Sequence, residues 1–118
     1  MLARANRVTK PADFRTVVRR GRRVVSPHVV VYVLSHVIGG PDRVEPSRCG
    51  FIVTKAVGNA VIRNTLRRRL REACRALLPT LDDSTDIVIR ALPGSPEVDW
   101  ATLQAELTES INRGVMKR

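Results

Sequence analysis

The densest chemistry in the chain lies between Lys55 and Arg75, where arginines stand at 63, 67, 71 and 75 with Asn64 and Arg68 among them. On a helix of about 100° per residue with Arg63 at zero, Arg67, Arg71 and Arg75 fall at about 40°, 80° and 120°. Asn64 falls at about 100° and Arg68 at about 140° by the same rotation. Ile62, Leu66, Leu70, Ala73 and Leu77 collect on the opposite side, between about 260° and 340°. One face is guanidinium and amide, the other is aliphatic, and Arg69 sits at the border. Arginines four apart repel by about 0.2–0.5 kcal/mol per pair, and Glu72 is the only acid nearby. A merely solvated face usually mixes its signs, so this one is expected to meet an anion. A planar guanidinium grips two phosphate oxygens at once and stacks on bases. Asn64 can donate to phosphate or read a base edge. Lys55 adds a cation where a strand should end, and Gly58-Asn59 is expected to let the backbone turn into the helix. The free N–H groups of a helix start also favour an anion.

Composition agrees with an anionic partner. The 118 residues fit one domain, residues 1–118, with a formal net charge of +10. Nucleic acid is the first candidate to relieve that self-repulsion and an acidic membrane surface the second. Other chemistries find little support. Metal-dependent phosphodiester cleavage usually needs clustered carboxylates; the densest here, Asp82, Asp83 and Asp86, read as a polar loop. No Ser/His/Asp or Cys/His set stands out. Cys49 and Cys74 form no C-x-x-C pair and have no zinc spacing with His28 or His36, so no metal site is expected and the thiols read as reduced core residues. No apolar run approaches the roughly 20 residues that span a bilayer. The start, Met1 to Arg7, is followed by no apolar signal region. The expectation is a cytoplasmic protein with no membrane contact and no obligate protein partner.

The elements that must position the arginine face read as follows. A helix is expected over about 11–20, with Pro11 in its first turn, an apolar stripe of Phe14, Val17 and Val18, and Gly21 as its stop. Val24-Val25 starts a short strand. His28 to Ser35 reads as a full strand rich in β-branched residues. Its all-valine face (Val29, Val31, Val33) suits the core, and Tyr32 falls on the other. Gly39-Gly40-Pro41-Asp42 reads as a turn. Arg48 to Thr54 is a strand with Cys49, Phe51 and Val53 on one face. The arginine helix runs from about Ala60 to Leu78 and stops near Pro79. Asp86 to Arg90 is a strand. The last helix follows Asp99 as N-cap, with Val98 and Leu103 spaced as a hydrophobic staple, and Gly114 ends it. The order α-β-β-β-α-β-α predicts an α/β (α+β) two-layer sandwich.

The run Lys55…Gly58-Asn59-Ala60-Val61…Arg63-Asn64…Arg67-Arg68…Arg71 resembles the signature of the bacterial ribonuclease P protein family, which reads K-x-x-G-N-A-V-x-R-N-x-x-K-R-x-x-R. Asp13-Phe14, Gly21, Val30 to Val33 and Asp86 to Arg90 are similar to its flanking elements, so the resemblance spans about residues 7–111. It implies a fold like the second domain of ribosomal protein S5, with a left-handed β-α-β crossover through the signature helix. That handedness comes from the family, since the general rule is right-handed. It implies an endoribonuclease subunit, a hydrolase in tRNA processing, whose catalytic RNA and bound Mg2+ remove the 5′ leader of precursor tRNA. This chain would then hold no catalytic residue. Lys55, Asn59, Arg63, Asn64, Arg67, Arg68 and Arg71 would face the RNA subunit. Phe14, Val18 and Tyr32 would line a cleft for the leader.

Two positions depart from the family. Thr65 stands where arginine is common, and Val18 where an aromatic is common. With 3% aromatics, the chain is expected to hold a leader by charge and shape more than by stacking, which is worth about 1–3 kcal/mol per base. Read from the residues alone, Phe14 and Tyr32 are core aromatics first, and it is the resemblance that puts them in the cleft; the cluster Arg19-Arg20-Gly21-Arg22-Arg23 either touches RNA or is solvated. A ribosomal or ribosome-assembly protein on a similar fold is the competing function.

Overall fold

Four strands form one sheet in the order β1-β2-β4-β3. The computed structural model describes residues 6–35, 46–81 and 85–116. Along the chain these are α1 (Pro11–Arg20), β1 (Arg22–Val25), β2 (Val29–Ser35), β3 (Arg48–Ile52), α2 (Ala60–Leu77), β4 (Thr85–Ala91) and α3 (Trp100–Met116), with 3-10 turns at Leu78–Thr80 and Ser95–Glu97. This is the expected order. The Gly39–Asp42 turn, His36, Asp82 and Asp83 lie outside the described residues. β1 and β2 form an antiparallel hairpin, β2 pairs antiparallel with β4, and β3 pairs parallel with β4 through the α2 crossover.

The principal core lies between one sheet face and α2 with α3. Val29, Val31, Val33, Cys49, Val53, Ile87 and Ile89 meet Leu66, Leu70, Ala73 and Cys74 of α2 and Leu103, Leu107 and Ile111 of α3. On the aliphatic side of the arginine helix Leu66, Leu70 and Ala73 are thus buried as their spacing requires, while Leu77 is partly buried and Ile62, at the helix start, is 38% exposed. At roughly 25 cal/mol per Å2 of apolar area removed from water, each such leucine contributes about 1.5–3 kcal/mol. Cys49 and Cys74 are buried free thiols; the hydrogen bond that Cys49 donates to Cys74, followed by burial, pushes the Cys49 thiol well above its ordinary value. Such thiols pack and do not react.

The other sheet face carries α1 over a smaller cluster of Val17, Val30, Tyr32 and Val88, flanked by Phe14, Val18, Leu34, Ile52 and Leu92. Both faces of β2 are therefore covered, which is why its sequence is nearly unbroken valine. Asp13 and Phe14 lie at β3, whereas Gly21 lies against Val33 of β2 just before β1. So α1 crosses the sheet from one edge to the other. Ten residues of helix reach about 15 Å, and three interstrand steps cover about 14 Å.

Three local expectations need correction. Asp86, read both as one of a loop's acids and as the first residue of a strand, is the latter: it lies in β4 and is 2% exposed. α3 does not stop at Gly114 but continues to Met116, and Gly114 is needed because a Cβ there would stand 2.6 Å from Val33 Cγ2. Gly58 has no positive φ, so backbone freedom is not its purpose; a Cβ there would stand 2.8 Å from Ile62 Cγ2.

A carboxylate fastens the hairpin to α3. Glu106 Oε1 accepts from Ser26 Oγ at 2.7 Å and from the His28 N–H at 2.6 Å, and Oε2 lies 2.9 Å from His28 Nδ1. Burial pushes this carboxyl up, but the hydrogen bonds from His28 and Ser26 outweigh it and hold it below the usual carboxylate value. A depressed folded-state pKa contributes stability above the unfolded-state value, about 4.3, and loses it as pH falls through the lower folded-state value. Glu106→Gln should therefore cost on the order of 1–3 kcal/mol near neutral pH, read as a lower melting temperature. The wild-type and variant melts should converge under acid, and a gap independent of pH would contradict this role.

Candidate nucleic-acid interface

The arginine face of α2 is held by its surroundings. Asn59 caps the helix, its Oδ1 accepting from the Ile62 N–H at 3.0 Å, so only its amide nitrogen remains to donate. Lys55 is exposed in the turn between β3 and α2, where the Val57 N–H donates to the Thr54 carbonyl. Arg67 donates to the Val53 carbonyl at 3.2 Å and to Asn64 Oδ1 at 3.4 Å. These bonds spread the guanidinium along the helix and tie it to the end of β3. Arg63 is half-buried, and its Nε is a buried donor with no partner. Arg68 is exposed and Arg71 half-buried. Arg75 differs, because Glu72 Oε2 accepts from it at 3.1 Å.

A groove of about 660 Å3 is lined by Arg7, Asn64, Arg67, Arg68, Arg71 and Glu72. Arg7 is the member that the sequence does not announce. It reaches the groove because residues 7–8 run alongside β3, with a parallel bridge to Cys49 and the Val8 N–H donating to its carbonyl at 2.8 Å. Nothing in the spacing signals a pairing so far apart in sequence. The geometry thus brings Asn64, Arg67, Arg68 and Arg71 together, with Arg63, Asn59 and Lys55 at the same helix start.

The second surface lies beside α1. Aligned residues on neighbouring strands share a face, which gives two rows on the α1 side. Gly50, Val88, Tyr32 and Arg23 form the row beneath the helix. Ile52, Arg90, Val30 and Val25 form the next one. The Phe14 ring sits on Gly50, where a Cβ would stand 2.6 Å from Phe14 Cε1. Phe14 and Val18 are half-buried at the wall of this cleft, while Tyr32 is 6% exposed and underlies it. In the open row Arg90 is exposed and Val25 is 58% exposed. Arg90 is a cation in the cleft that helix periodicity could not find, although strand alternation from Val88 points to it.

An ion network fixes α1 above this cleft. Arg48 donates through Nη2 and Nε to the two oxygens of Asp86 at 2.7 and 3.0 Å, and through Nη1 to Asp13 at 3.3 Å. The hydrogen bond to Asp86 raises the Arg48 pKa above its ordinary value against the opposing effect of burial, and the charges of Asp86 and Asp13 add to it. Asp13 immediately precedes Phe14, so the network pins the turn of α1 that carries the ring.

The ribonuclease P family model matches residues 2–114. The chain belongs to the ribonuclease P protein family. It is 50% identical over 115 residues to the ribonuclease P protein component of Clavibacter michiganensis, covering 98% of this chain and 97% of that one. It is 43% identical to that of Streptomyces griseus, covering 96% and 94%. The structure of the Staphylococcus aureus RNase P protein superposes with a TM-score of 0.79 at 26% identity, covering 93% of this chain and 95% of that one. The Thermotoga maritima RNase P protein gives 0.75 at 25% identity, covering 91% and 96%. The fold of a ribonuclease P protein is thereby shown, and with it the expected mixed α/β architecture.

The network's two carboxylates should behave differently. Asp86→Ala leaves Arg48 half-buried without its main partner and should cost about 3–5 kcal/mol. Asp13 is partly exposed, and Asp13→Ala should cost about 1 kcal/mol or less. Urea denaturation of both variants checks the ranking, and equal costs would mean that Asp86 is not the anchor.

Proposed function

We propose that this ribonuclease P protein assists a catalytic RNA in the endonucleolytic removal of the 5′ leader from precursor tRNA. The observation that supports it best is the α2 groove, where Arg7, Arg67, Arg68 and Arg71 surround a space of about 660 Å3 with one carboxylate, Glu72. Such a surface suits the phosphate backbone of a folded RNA. The cleft beside α1 is separate and partly apolar, as suits a single strand. In this reading Lys55, Asn59, Arg63, Asn64, Arg67, Arg68 and Arg71 engage the RNA subunit. Phe14 and Val18, resting on Tyr32, bound the leader.

The chemistry is assigned to the RNA. Among the described residues no three His, Cys, Asp or Glu side chains converge, and Asp86 is engaged by Arg48. The donor set here does not fit a magnesium site, so we assign Mg2+ to the RNA subunit and route no step through this chain. We place the activity in the cytoplasm; no helix among the described residues is long and apolar enough to cross a membrane.

Reconstitution with a ribonuclease P RNA at low magnesium tests the reading, with 5′ processing of a precursor tRNA as the score. The protein should stimulate cleavage. Arg67→Ala with Arg71→Ala should weaken binding to the RNA and flatten log K against log salt by roughly 0.7–0.9 unit per lost contact. A protein that leaves cleavage unchanged would belong instead with ribosome-type RNA binders.

Phe14→Ala probes the cleft. It should weaken binding of precursor tRNA by about 1–3 kcal/mol and leave mature tRNA binding nearly unchanged. Tyr32→Ala is a poor probe, since truncating a buried aromatic costs about 3–5 kcal/mol of stability. Equal losses for both RNAs on a folded Phe14 variant would remove the ring from the leader site.

A further inference from the structure

The aliphatic side of α2 is covered from Leu66 onward but not before it. Leu66, Leu70, Ala73 and Cys74 belong to the core, whereas Ile62, one turn earlier on the same side, is 38% exposed and its neighbour Val61 is 74% exposed. Single exposed apolar side chains are ordinary. These two are not single: with Thr65, Leu66 and Arg69 of α2 and Pro96 of the 3-10 turn before α3 they line a recess of about 230 Å3. Its walls have local causes. Ile62 occupies the space that Gly58 leaves open, since a Cβ there would stand 2.8 Å from Ile62 Cγ2. Gly94, at a φ of 94°, turns the chain into Ser95–Glu97 and so sets Pro96. Leu66 is buried and joins the recess to the core behind it.

Two polar side chains on the wall are unengaged. Arg69 is exposed and has no hydrogen bond or ion pair among the described residues. Nor has the Thr65 hydroxyl, whereas those of Thr16 and Thr108 turn back onto the helix carbonyl four residues before. With Arg63 at zero on the helix wheel, Val61 falls at about 160°, Thr65 at about 200°, Arg69 at about 240° and Ile62 at about 260°. Arg68, on the wall of the arginine groove, falls at about 140°. The recess therefore adjoins the groove around the helix and overlaps it along the axis.

We infer that this recess takes one unpaired nucleobase of the RNA subunit, turned out of a strand whose phosphates lie in the groove. This rests on the proposed function and adds a single-base contact to it. A volume of about 230 Å3 is below the roughly 300–1,000 Å3 of a small-molecule site. Its chemistry is that of a base receptor: a guanidinium plane stacks on a base face, aliphatic side chains cover apolar ring surface, and a hydroxyl, donor and acceptor at once, serves an edge. The base comes from the RNA that α2 grips and not from the leader, because α2 and α1 cover opposite faces of the sheet.

Binding of a ribonuclease P RNA by the whole protein, titrated against salt, tests this. Val61→Ser removes apolar surface and Arg69→Lys removes the planar group, both at exposed positions, so the melts should match the wild type. Each variant should weaken binding severalfold, and the pair by up to about a hundredfold, the worth of one stacked base. The slope of log K against log salt should stay unchanged, because no charge is lost. Chemical probing of base edges should show one nucleotide of the RNA subunit protected by the wild-type protein and reactive again with Val61→Ser. Wild-type affinity for both variants would overturn the inference as a solvated apolar spot. Full affinity for Arg69→Lys, with a loss and a flatter slope only for Arg69→Gln, would overturn it as a phosphate contact. A loss seen with precursor tRNA but not with the RNA subunit would overturn the choice of partner, and a lowered melt for Val61→Ser would return that side chain to the fold. A wild-type protein that does not bind ribonuclease P RNA would fail the proposed function itself, before any variant is compared.

Discussion

Asp86 places a charge inside the sheet, where water cannot answer it. An unpaired carboxylate there would cost several kcal/mol, so the surrounding structure is arranged to meet it. Arg48, directly across on β3, presents two donors to its two oxygens. The third arm of the same guanidinium reaches Asp13 and with it the first half of α1. One buried charge thereby holds together the parallel strand pair and the helix that crosses them. The position of Phe14 and the closeness of β3 to α1 that Gly50 permits both follow from that contact.

The same economy shapes the outer surface. The carboxylates with described partners are spent inward or locally: Asp86 and Asp13 on Arg48, Glu106 on the hairpin, Glu72 on Arg75. The arginines of α2, α1 and β1 are left to face outward with little to neutralise them. Among the described residues much of the positive charge behind the net +10 is thus not spread evenly but gathered on α2 and along α1 and β1, with a partly apolar surface between them. Repulsion within each group weakens the free protein and is relieved when phosphate arrives.

Helix periodicity made the arginine face legible, because burying Leu66, Leu70 and Ala73 forces Arg63, Arg67 and Arg71 outward whatever the rest of the chain does. The unbroken valines of β2 showed a strand, and its two faces were separable by alternation. What stayed hidden depends on pairings between distant segments. Arg7 joins the groove only because residues 7–8 lie against β3. The ion pair of Asp86 was hidden because its partner, Arg48, is 38 residues away. Gly58 and Gly114 looked like a turn and a stop, and both turned out to make room for a neighbouring side chain. The signature motif supplied the family, and no arithmetic on spacing would have done so.

The strand order has a consequence for how the protein is made. β4 lies between β2 and β3 and pairs with both, yet it is the last strand to leave the ribosome. Until residues 85–91 emerge, a growing chain can close only the β1–β2 hairpin, and a lone hairpin is marginal in water. β3 and the finished arginine helix must wait with their apolar sides uncovered. At roughly 5–20 residues per second, the remaining stretch takes seconds to appear, during which a highly cationic segment is exposed beside the ribosome's own RNA. Cooperative assembly of this sheet is therefore an event of the last third of translation.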